Sequence, residues 1–386
     1  MKKITPYCTA PWNGITVQPD GSVTTCCVGK VSLGNINQQS IIEIINNPTH
    51  QRIKQNLLDN TNLKENCQIC LDLEKSSGNT PVRQLYLNDY PTLSNKLRFL
   101  DIRWTNFCNL TCVYCGSYSS SAWADKLDSN NKKITINQFD SDLESWVLDK
   151  ADELYELNLV GGEPLLMKQN YNLLAKISDS VRLSLITNLS YNLENLPCLD
   201  ILLTRPKDNT IWNISAENYG EQFEYIRNGA DWLQFEKNIK FLVAQGLNTI
   251  RLQMTYGIHS GLNLLDTIKC FYELGIKKFN INPVILNPGL DIFTFPNPVI
   301  ALALEQLEQV KLWEQSTHGI DYDLYRTVDL DNLIKRMYNI LETEDRAVIS
   351  KDIFVNEIAK YDQWHTKKFN ELWPNKYQLI MDSFND

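Results

Sequence analysis

Long apolar segments are missing from this chain of 386 residues. No stretch approaches 18 uninterrupted apolar residues, so the sequence predicts no membrane-spanning helix and no membrane partner. The first residues, MKKITPYCTAPW, contain two lysines but not the apolar segment of a secretory leader. We therefore expect a soluble, cytoplasmic protein.

Clustered positive charge is missing as well. The 37 Lys and Arg residues are outnumbered by 46 Asp and Glu residues, and the formal net charge is −9. The basic residues are scattered along the chain, which leaves no electrostatic footprint for DNA or RNA. Nucleic acid is therefore not an expected partner.

Several common catalytic patterns are also absent. The four histidines, His50, His259, His318 and His365, are dispersed and form no ligand pair. His259 follows a predicted strand, and the better interpretation for it is a satisfied or exposed side chain. No Walker loop, dinucleotide fingerprint or recognisable catalytic triad occurs, so the sequence does not predict a P-loop enzyme, a dinucleotide-dependent enzyme or a serine hydrolase.

Cysteine, by contrast, is abundant in one part of the chain, because eight of the ten cysteines precede residue 116. In a reducing compartment, clustered thiols are typical of metal ligands rather than disulfides. Cys198 and Cys270 stand alone, and an isolated cysteine is most often a small buried hydrophobe. The clustered cysteines are therefore the candidates for chemistry.

The middle of the chain alternates strand-like and helix-like segments. The predicted strands cover residues 97–104, 156–160, 181–187, 210–215, 249–258 and 277–285, and helical periodicity between them covers 171–178, 231–245 and 264–274. Strands alternating with helices predict a parallel sheet. The expected fold class is therefore α/β.

The two flanks differ from this middle part. Alternation in GITVQPDGSVTTCC predicts a hairpin that turns at Pro19-Asp20-Gly21, followed by a helix around Ile41–Leu58. After Pro298 the sequence is strongly helical, and its last, aromatic-rich segment is expected to pack against the middle part. These patterns predict three modules, over residues 1–90, 91–297 and 298–386.

Three cysteines lie together directly after the first predicted strand of the middle part. Cys108, Cys112 and Cys115 occur as Cys-Asn-Leu-Thr-Cys-Val-Tyr-Cys. A four-iron cluster takes one thiolate per iron, so three thiols leave one iron open for another ligand. Zinc usually takes four ligands and favours paired Cys-x2-Cys hooks, which fits this spacing less well. The loop therefore predicts an iron–sulfur cluster with one open position.

This Cys-x3-Cys-x2-Cys spacing, with Tyr114 before the last cysteine, resembles the signature of the radical S-adenosylmethionine (SAM) enzymes. The resemblance implies a partial (β/α)6 TIM-like barrel whose active site lies at the C-terminal ends of the strands. It also implies that the segment Gly161-Gly162-Glu163-Pro164, after the second strand, contacts the amino group of SAM.

Three further places extend the SAM site by the same resemblance. Thr187 and Asn188 end the third strand, as a Thr-Asn pair does in the family. Ser215 and Glu217 lie at the end of the fourth strand, where relatives contact the ribose or the methionine part of SAM. Arg227 is placed like an arginine that pairs with the SAM carboxylate in relatives. For each of them the alternative is a helix cap or a solvated charge.

The N-terminal cysteines form a second pattern, Cys-x12-Gly-x4-Cys followed at a distance by Cys-x2-Cys. It is made by Cys8, Cys26, Cys67 and Cys70, and Cys26 is preferred over its neighbour Cys27 because it fits the glycine spacing. The pattern resembles the SPASM and twitch modules, which carry auxiliary iron–sulfur clusters. A tetrahedral zinc site is the alternative that remains open.

The likeness to these modules is partial. A full SPASM domain uses about seven cysteines for two clusters, whereas this module has five cysteines and a serine, Ser76, six residues beyond Cys70. One auxiliary [4Fe-4S] cluster, as in the twitch type, is therefore expected. The module also precedes the barrel here, although in relatives it usually follows it.

Together, these resemblances imply a radical SAM enzyme, either of the oxidoreductase type or one that modifies a peptide or small molecule. An external electron donor such as flavodoxin or ferredoxin would reduce the [4Fe-4S] cluster, SAM would be cleaved to methionine and a 5′-deoxyadenosyl radical, and the radical would take hydrogen from a peptide, protein or sugar-like small molecule. The auxiliary cluster would transfer electrons. The alternatives are a relative that binds SAM without turnover, and a non-catalytic iron–sulfur electron carrier or zinc-stabilised binding scaffold.

Overall fold

The computed structural model describes residues 6–77, 80–94, 96–127, 134, 140–284, 287–317, 321–322, 330–343 and 346–385. His318, one of the dispersed histidines, lies outside these ranges. Across the described residues, none of the helices has the length and apolar character needed to cross a membrane.

One large sheet organises the described part of the chain. Its strands and a separate two-stranded ribbon are β1 (Gly14–Val17), β2 (Ser22–Thr24), β3 (Gly34–Asn35), β4 (Phe99–Ile102), β5 (Thr111–Cys112), β6 (Glu156–Leu159), β7 (Arg182–Thr187), β8 (Thr210–Ser215), β9 (Arg227–Asn228), β10 (Ile250–Tyr256), β11 (Lys278–Pro283) and β12 (Asp321–Tyr322). The sheet has the order β12-β11-β10-β8-β7-β6-β4-β1-β2-β3, and β5 pairs with β9 alone.

The six central strands, β4, β6, β7, β8, β10 and β11, are parallel to their neighbours. All six lie within the ranges predicted from the sequence, so the prediction of an α/β fold with a parallel sheet is confirmed. β12 and β3 are the edge strands in the described residues, so the sheet forms a partial barrel that is not closed.

Helices connect the strands and cover the sheet. Their bounds are α1 (Ala10–Asn13), α2 (Ile41–Ile45), α3 (Pro48–Asp59), α4 (Lys64–Ser77), α5 (Pro81–Asp89), α6 (Ser121–Lys126), α7 (Asp140–Asp149), α8 (Lys168–Leu174), α9 (Leu199–Thr204), α10 (Gly220–Ile226), α11 (Trp232–Ala244), α12 (Ile258–Gly261), α13 (Leu264–Glu273), α14 (Asn297–Ser316), α15 (Leu330–Leu341), α16 (Lys351–Asp362), α17 (Phe369–Leu372) and α18 (Pro374–Ser383). Short 3-10 turns cover Pro164–Leu166, Leu193–Asn195, Lys207–Asn209 and Ile292–Thr294.

The single helix predicted around Ile41–Leu58 is wrong, because the structure has two helices there, α2 and α3. The side chain of Asn47 accepts a hydrogen bond from the amide of His50 at 2.8 Å and so caps the second helix. Pro48 occupies its first position, where a missing N–H costs nothing. The capping residue and the proline therefore start a new helix at Pro48, although the apolar periodicity continues across this point.

The N-terminal hairpin joins the module to the barrel. β1 and β2 are antiparallel around the predicted Pro19-Asp20-Gly21 turn, and Gly21 has φ +82°, which glycine adopts without strain. On its other side β1 pairs in parallel with β4, Gly14 opposite Phe99 and Val17 opposite Ile102. The strands of the N-terminal module therefore continue the barrel sheet, and the module is not a body separate from that sheet.

The C-terminal helices pack against the middle part, as the sequence predicts. The Tyr225 hydroxyl donates a hydrogen bond to Asp362 at 2.7 Å, and the ring of His365 stacks on Tyr225 with centroids 4.4 Å apart. Tyr361 packs edge-on against Trp123, which lies in α6 just after the cysteine loop. This region therefore covers the side of the molecule on which Cys108, Cys112 and Cys115 lie.

Candidate active site

The Cys108–Cys115 loop follows β4 and is held by a small ribbon. Cys112 lies in β5 and pairs in register with Arg227 of β9, and the amide of Cys115 donates to the carbonyl of Cys112 at 3.0 Å. Trp123 donates its indole N–H to the same carbonyl at 2.9 Å. The three cysteines are therefore presented by hydrogen-bonded backbone and not by a free loop.

Two polar side chains approach the sulfur atoms of this loop. Asn188 Nδ2 lies 3.8 Å from the Sγ of Cys108, and Arg227 Nη1 lies 3.8 Å from the Sγ of Cys112. Burial raises the pKa of Cys108 to about 11 and raises the pKa of Cys112, while the guanidinium of Arg227 lowers the latter. These partly buried thiols thus need a compensating positive charge to ionise, which a bound metal cluster would supply.

The Gly161–Pro164 segment touches the backbone of the cysteine loop. The amide of Glu163 donates to the carbonyl of Phe107 at 2.7 Å. A Cβ on Gly162 would lie 2.1 Å from that carbonyl oxygen, and Gly161 has φ +131°. Both glycines are therefore required for the close approach of two loops at adjacent strand ends, a role beyond the approach to a ligand that the sequence suggests.

The Glu163 carboxylate is buried and ties two strand ends together. Its Oε1 accepts hydrogen bonds from the Thr187 hydroxyl at 2.8 Å and from the Leu165 amide at 3.1 Å. Its Oε2 accepts from the Asn188 amide at 2.7 Å. Burial raises the pKa of Glu163 to about 7, and these donors oppose that rise. Glu163, Thr187 and Asn188 thus form one network beside Cys108.

Glu217 and Arg227, predicted separately to contact SAM, bind each other. Arg227 donates from Nε to Glu217 Oε2 at 2.9 Å and from Nη2 to Oε1 at 2.5 Å. The Glu217 side chain is 0 % exposed and that of Arg227 is 12 % exposed, so this bidentate pair is buried. Only Nη1 of the guanidinium is directed to the sulfur of Cys112. Ser215 ends β8 two residues before Glu217 and is also buried.

The sequence does not single out Asn109, although it belongs to this network. Its side-chain oxygen accepts from Asn188 Nδ2 at 2.9 Å, and its amide donates to the Ser190 carbonyl at 2.9 Å. Its position directly after Cys108 could have identified Asn109 as a residue of the site. Nothing in the sequence could have identified the contact of Trp123 with Cys112, because that contact depends on how α6 packs.

The four preferred N-terminal cysteines, Cys8, Cys26, Cys67 and Cys70, line a single small cavity in the module. Burial raises the pKa of all four thiols, to about 12 for Cys8 and to about 11 for Cys67. Hydrogen-bond donors approach three of the sulfurs: the amide of Ala10 lies 3.5 Å from Cys8, Asn66 Nδ2 lies 3.9 Å from Cys67, and the Val28 amide bonds Cys26.

Arg83 supplies positive charge at the edge of that cavity. Its Nε donates to the Tyr7 carbonyl at 2.6 Å and its Nη1 to Glu74 at 2.5 Å, and its guanidinium lies 4.4 Å from the centroid of the Tyr7 ring. This positive charge lowers the pKa of Cys8, Cys67 and Cys70 against the effect of burial. Cys27 does not line this cavity and is exposed.

Both sulfur sets offer the thiol ligands that an iron–sulfur cluster uses. Among the described residues, no three His, Cys, Asp or Glu side chains converge closely enough to hold one ion. A structural zinc site needs its four ligands about 2.3 Å from one centre, whereas a four-iron cluster spreads the thiolates over separate irons. Soft sulfur ligands that are buried or partly buried, with hydrogen-bond donors nearby, are suited to iron–sulfur chemistry.

His259 departs from the expected satisfied or exposed histidine. It is buried, and neither ring nitrogen has a hydrogen-bond partner in the described residues. Its ring lies among Tyr114, Tyr225, Phe369 and Trp373, with centroids 5.3 to 5.8 Å away. Burial lowers its pKa to about 3, so the neutral form is held there.

Comparison with known proteins covers both cysteine regions. The family model of an iron–sulfur cluster-binding domain, SPASM, matches residues 8–71, and that of the radical SAM superfamily matches residues 102–287. Among curated proteins, the imidazole glycerol phosphate synthase subunit HisF of Bacillus pumilus (strain SAFR-032) is 27% identical over 143 residues, which cover 32% of this chain and 56% of HisF.

Two solved structures are similar to parts of this chain. Streptococcus suis SuiB bound to its precursor peptide SuiA is 15% identical with a TM-score of 0.45, over 61% of this chain and 51% of SuiB. anSMEcpe with bound AdoMet and the Kp18Cys peptide is 12% identical with a TM-score of 0.42, over 72% of this chain and 97% of that chain. The chain thus spans just over half the length of HisF and of SuiB.

The two family matches fall on the two parts of the chain where cysteines cluster, and the parallel sheet places the Cys108–Cys115 loop beside the Gly161–Pro164 segment. These domains imply iron–sulfur cluster binding and SAM binding. The chain belongs to the radical SAM enzyme superfamily and carries an N-terminal SPASM iron–sulfur domain.

Proposed function

We propose that this protein cleaves SAM reductively and uses the resulting radical to take hydrogen from a substrate. The observation that carries the proposal is the junction of two loops at adjacent strand ends, where Glu163 donates its amide to Phe107 and a side chain at position 162 would collide with the cysteine loop. This junction supports a single site in which a cluster ligand loop and a SAM-binding segment act together.

Cys108, Cys112 and Cys115 would hold a [4Fe-4S] cluster and leave one iron open to SAM. When bound, the cluster and SAM would supply the one-electron cleavage of the sulfonium, which gives methionine and a 5′-deoxyadenosyl radical. Asn188 and Arg227 place hydrogen-bond donors at two of the three sulfurs, which favours extra negative charge on the thiolates. These two side chains would therefore stabilise the reduced site.

The residues proposed to contact SAM are Gly161, Gly162, Glu163, Pro164, Thr187, Asn188, Ser215, Glu217 and Arg227. Within this set, Glu163 and Glu217 have a distinct part, because their oxygens already accept hydrogen bonds from protein donors. Glu163 would fix the shape of the segment that meets the SAM amino group. Glu217 would orient Arg227, which is left with one free edge for the cluster and the SAM carboxylate.

Water exclusion at this site would come from aromatic side chains. Tyr114 lies between Cys112 and Cys115 in the sequence, is partly buried, and packs edge-on against His259. Trp123 covers the backbone of Cys112 and itself packs under Tyr361 of α16. A dry site protects a carbon-centred radical from side reactions, so the C-terminal helices would contribute to catalysis by packing.

Cys8, Cys26, Cys67 and Cys70 would hold one auxiliary [4Fe-4S] cluster. Four protein ligands leave no iron open, so this cluster would transfer electrons and not bind substrate. The external donor would be a flavodoxin or ferredoxin, and the substrate a peptide, protein or small molecule. The modules of the enzyme would be residues 1–90, 91–297 and 298–386.

The test is anaerobic purification and reconstitution followed by iron, sulfide and zinc assays and by incubation with SAM and dithionite. About eight irons and eight sulfides per chain are expected from two four-iron clusters, together with 5′-deoxyadenosine in the SAM reaction. Zinc without sulfide would instead support the binding scaffold. Two clusters with no 5′-deoxyadenosine under any donor would support an electron carrier or a relative that binds SAM without turnover.

A further inference from the structure

A second cavity lies between the barrel and the N-terminal module. Its volume is about 280 Å³. Its walls come from the central strands of the barrel and from the module. Pockets that bind drug-sized ligands have volumes of about 300 Å³ or more, so this cavity suits a group about as large as one amino-acid residue.

This cavity lies directly below the proposed SAM site. Val160 and Ile186, which line it, immediately precede Gly161 and Thr187 at the ends of β6 and β7. Parallel strands bring their C-terminal ends to one side of a barrel, where the cysteine loop also lies. A group bound in this cavity would therefore be next to the point where a hydrogen atom is taken.

One wall of the cavity is polar. Asp101 of β4 and Asn158 of β6 are in register and both line it. They are only 2% and 5% exposed, yet Asp101 Oδ1 and Asn158 Oδ1 have no hydrogen-bond partner in the described residues. A buried acceptor without a partner costs about 1 to 3 kcal/mol. Two such oxygens on neighbouring strands indicate a ligand that brings donors.

Donors without partners lie on the same wall. Arg103 Nε and Asn282 Nδ2 are buried and have no partner in the described residues, and both side chains line the cavity. Arg103 also pairs with Asp101 at 3.5 Å and donates to Gln18 at 3.0 Å. Because the carboxylate and the guanidinium compensate each other, the wall offers donors and acceptors to a ligand without selecting a net charge.

The remaining walls are apolar. Apolar side chains from the module line this side of the cavity, namely Val28, Leu73, Val82 and Leu85. The barrel strands add Phe99, Val160, Ile186 and Pro283. A sugar carries hydroxyl groups on all sides and would leave several of them against these walls without partners, which is unfavourable. An amino-acid residue places an amide donor and acceptor on one side and an apolar side chain on the other, which matches the cavity.

Cys27 belongs to this cavity and not to the sulfur set. The four cysteines Cys8, Cys26, Cys67 and Cys70 line the small cavity inside the module, whereas Cys27, the next residue after Cys26, lines the larger one. Its side chain therefore reports on whether the larger cavity is filled, and it does so at a point where the module and the barrel meet.

We propose that this cavity binds an apolar amino-acid residue of a peptide substrate through the amide groups of that residue, and that Cys27 is part of its wall and not a cluster ligand. The proposal rests on the proposed function for the meaning of substrate, since the cavity opens below the SAM site. The polar wall of Asp101, Arg103, Asn158 and Asn282 would fix the amide, and the apolar walls would hold the side chain.

The experiment is protection of Cys27 from alkylation in the reconstituted protein under anaerobic conditions, without SAM. N-ethylmaleimide is the label, mass mapping of peptides measures the rate at Cys27, and the probes are N-acetyl-phenylalanine methylamide and glucose. We expect the blocked amino acid to slow labelling and glucose to leave it unchanged. In Asn158→Leu the protecting concentration should rise about tenfold, as for the loss of one buried hydrogen bond.

The matched control is Asn213→Leu, the same change at a buried asparagine of β8 that does not line the cavity, and it should keep the protection of the parent protein. Cys27→Ser should keep the full iron content. Protection by glucose alone, no protection by the blocked amino acid, equal effects of the two leucine variants, or loss of iron in Cys27→Ser would each overturn the proposal. Because no SAM is consumed, failure here and failure to form 5′-deoxyadenosine are separate results.

Discussion

The two sulfur sets of this protein differ in number and in surroundings. At the barrel, three cysteines lie on one loop, and side chains from two other segments, Asn188 after β7 and Arg227 in β9, reach two of the sulfurs. In the module, four cysteines from three separate segments of the chain line one small cavity, and their donors include local backbone amides and the side chain of Asn66. The first arrangement would leave a side for a ligand and joins the cysteine loop to other barrel segments, whereas the second encloses its sulfurs in a cavity of the module.

The largest expected difference between the sets is in SAM cleavage. Cys112→Ala leaves two thiolates for the barrel cluster, so we expect loss of 5′-deoxyadenosine formation and of about four of eight irons. Cys67→Ala should lose a similar amount of iron but keep some uncoupled SAM cleavage while losing substrate product. Iron analysis and 5′-deoxyadenosine quantification by chromatography measure both effects.

Cys198→Ala is the control for these cysteine variants, because Cys198 is buried and lies outside both sets. It should keep all iron and the full rate of cleavage. If Cys112→Ala and Cys67→Ala abolished cleavage equally, the division of labour between the two sets would be wrong, and the module cysteines would be needed for folding.

The second expected effect concerns the buried ion pair that holds a donor at the barrel cluster. Arg227→Gln leaves the fully buried Glu217 carboxylate without its partner, which should lower the free energy of unfolding by about 3 to 5 kcal/mol. The double variant Arg227→Gln with Glu217→Gln should recover most of that stability but not the SAM cleavage rate. Denaturant unfolding of the apo-protein and 5′-deoxyadenosine assays separate the two.

The matched comparison for this pair is at the module, where Arg83 and Glu74 are partly exposed, about a quarter of each side chain. Arg83→Gln should cost less stability than Arg227→Gln, since solvent compensates an exposed partner. Equal costs for the two variants would contradict the view that the barrel pair is the buried, structurally coupled one.

A third, smaller effect should come from the contact between the two barrel loops. A methyl group added in Gly162→Ala would meet the Phe107 carbonyl, so the loops must separate, at a cost of about 1 to 3 kcal/mol in unfolding free energy. SAM cleavage should fall as well. Gly116→Ala is the control, because an added Cβ there has nothing within 4 Å although it directly follows Cys115. A similar loss in both variants would show that the loop tolerates no side chain anywhere.

Much of this architecture could be predicted from the sequence. The six central strands could be placed because β-rich segments alternate with helical periodicity, and the cysteine and Gly-Gly-Glu-Pro segments could be placed because each directly follows a strand. The pairing of β1 with β4 could not be predicted, since neither strand encodes its neighbour. The ion pair between Glu217 and Arg227 could not be predicted either, because the sequence pattern assigned each of the two residues separately to SAM.

The smallest effect, and the one that tests the surroundings of the barrel set most directly, is a pH dependence. Burial raises the pKa of Glu163 from its usual value near 4.5 to about 7 in the folded apo-protein. The folded state therefore binds more protons than the unfolded state between these values, and stability must fall as pH rises through this window, by about 1 kcal/mol per pH unit. Glu163→Gln keeps an acceptor toward Thr187 and Leu165 but removes the titration. Subtracting its unfolding free energies from those of the parent apo-protein at pH 5.5, 6.5 and 7.5 should thus give a difference that declines with pH. A difference that stayed constant, or rose, would mean that the surrounding donors outweigh burial and that the carboxylate is ionised throughout.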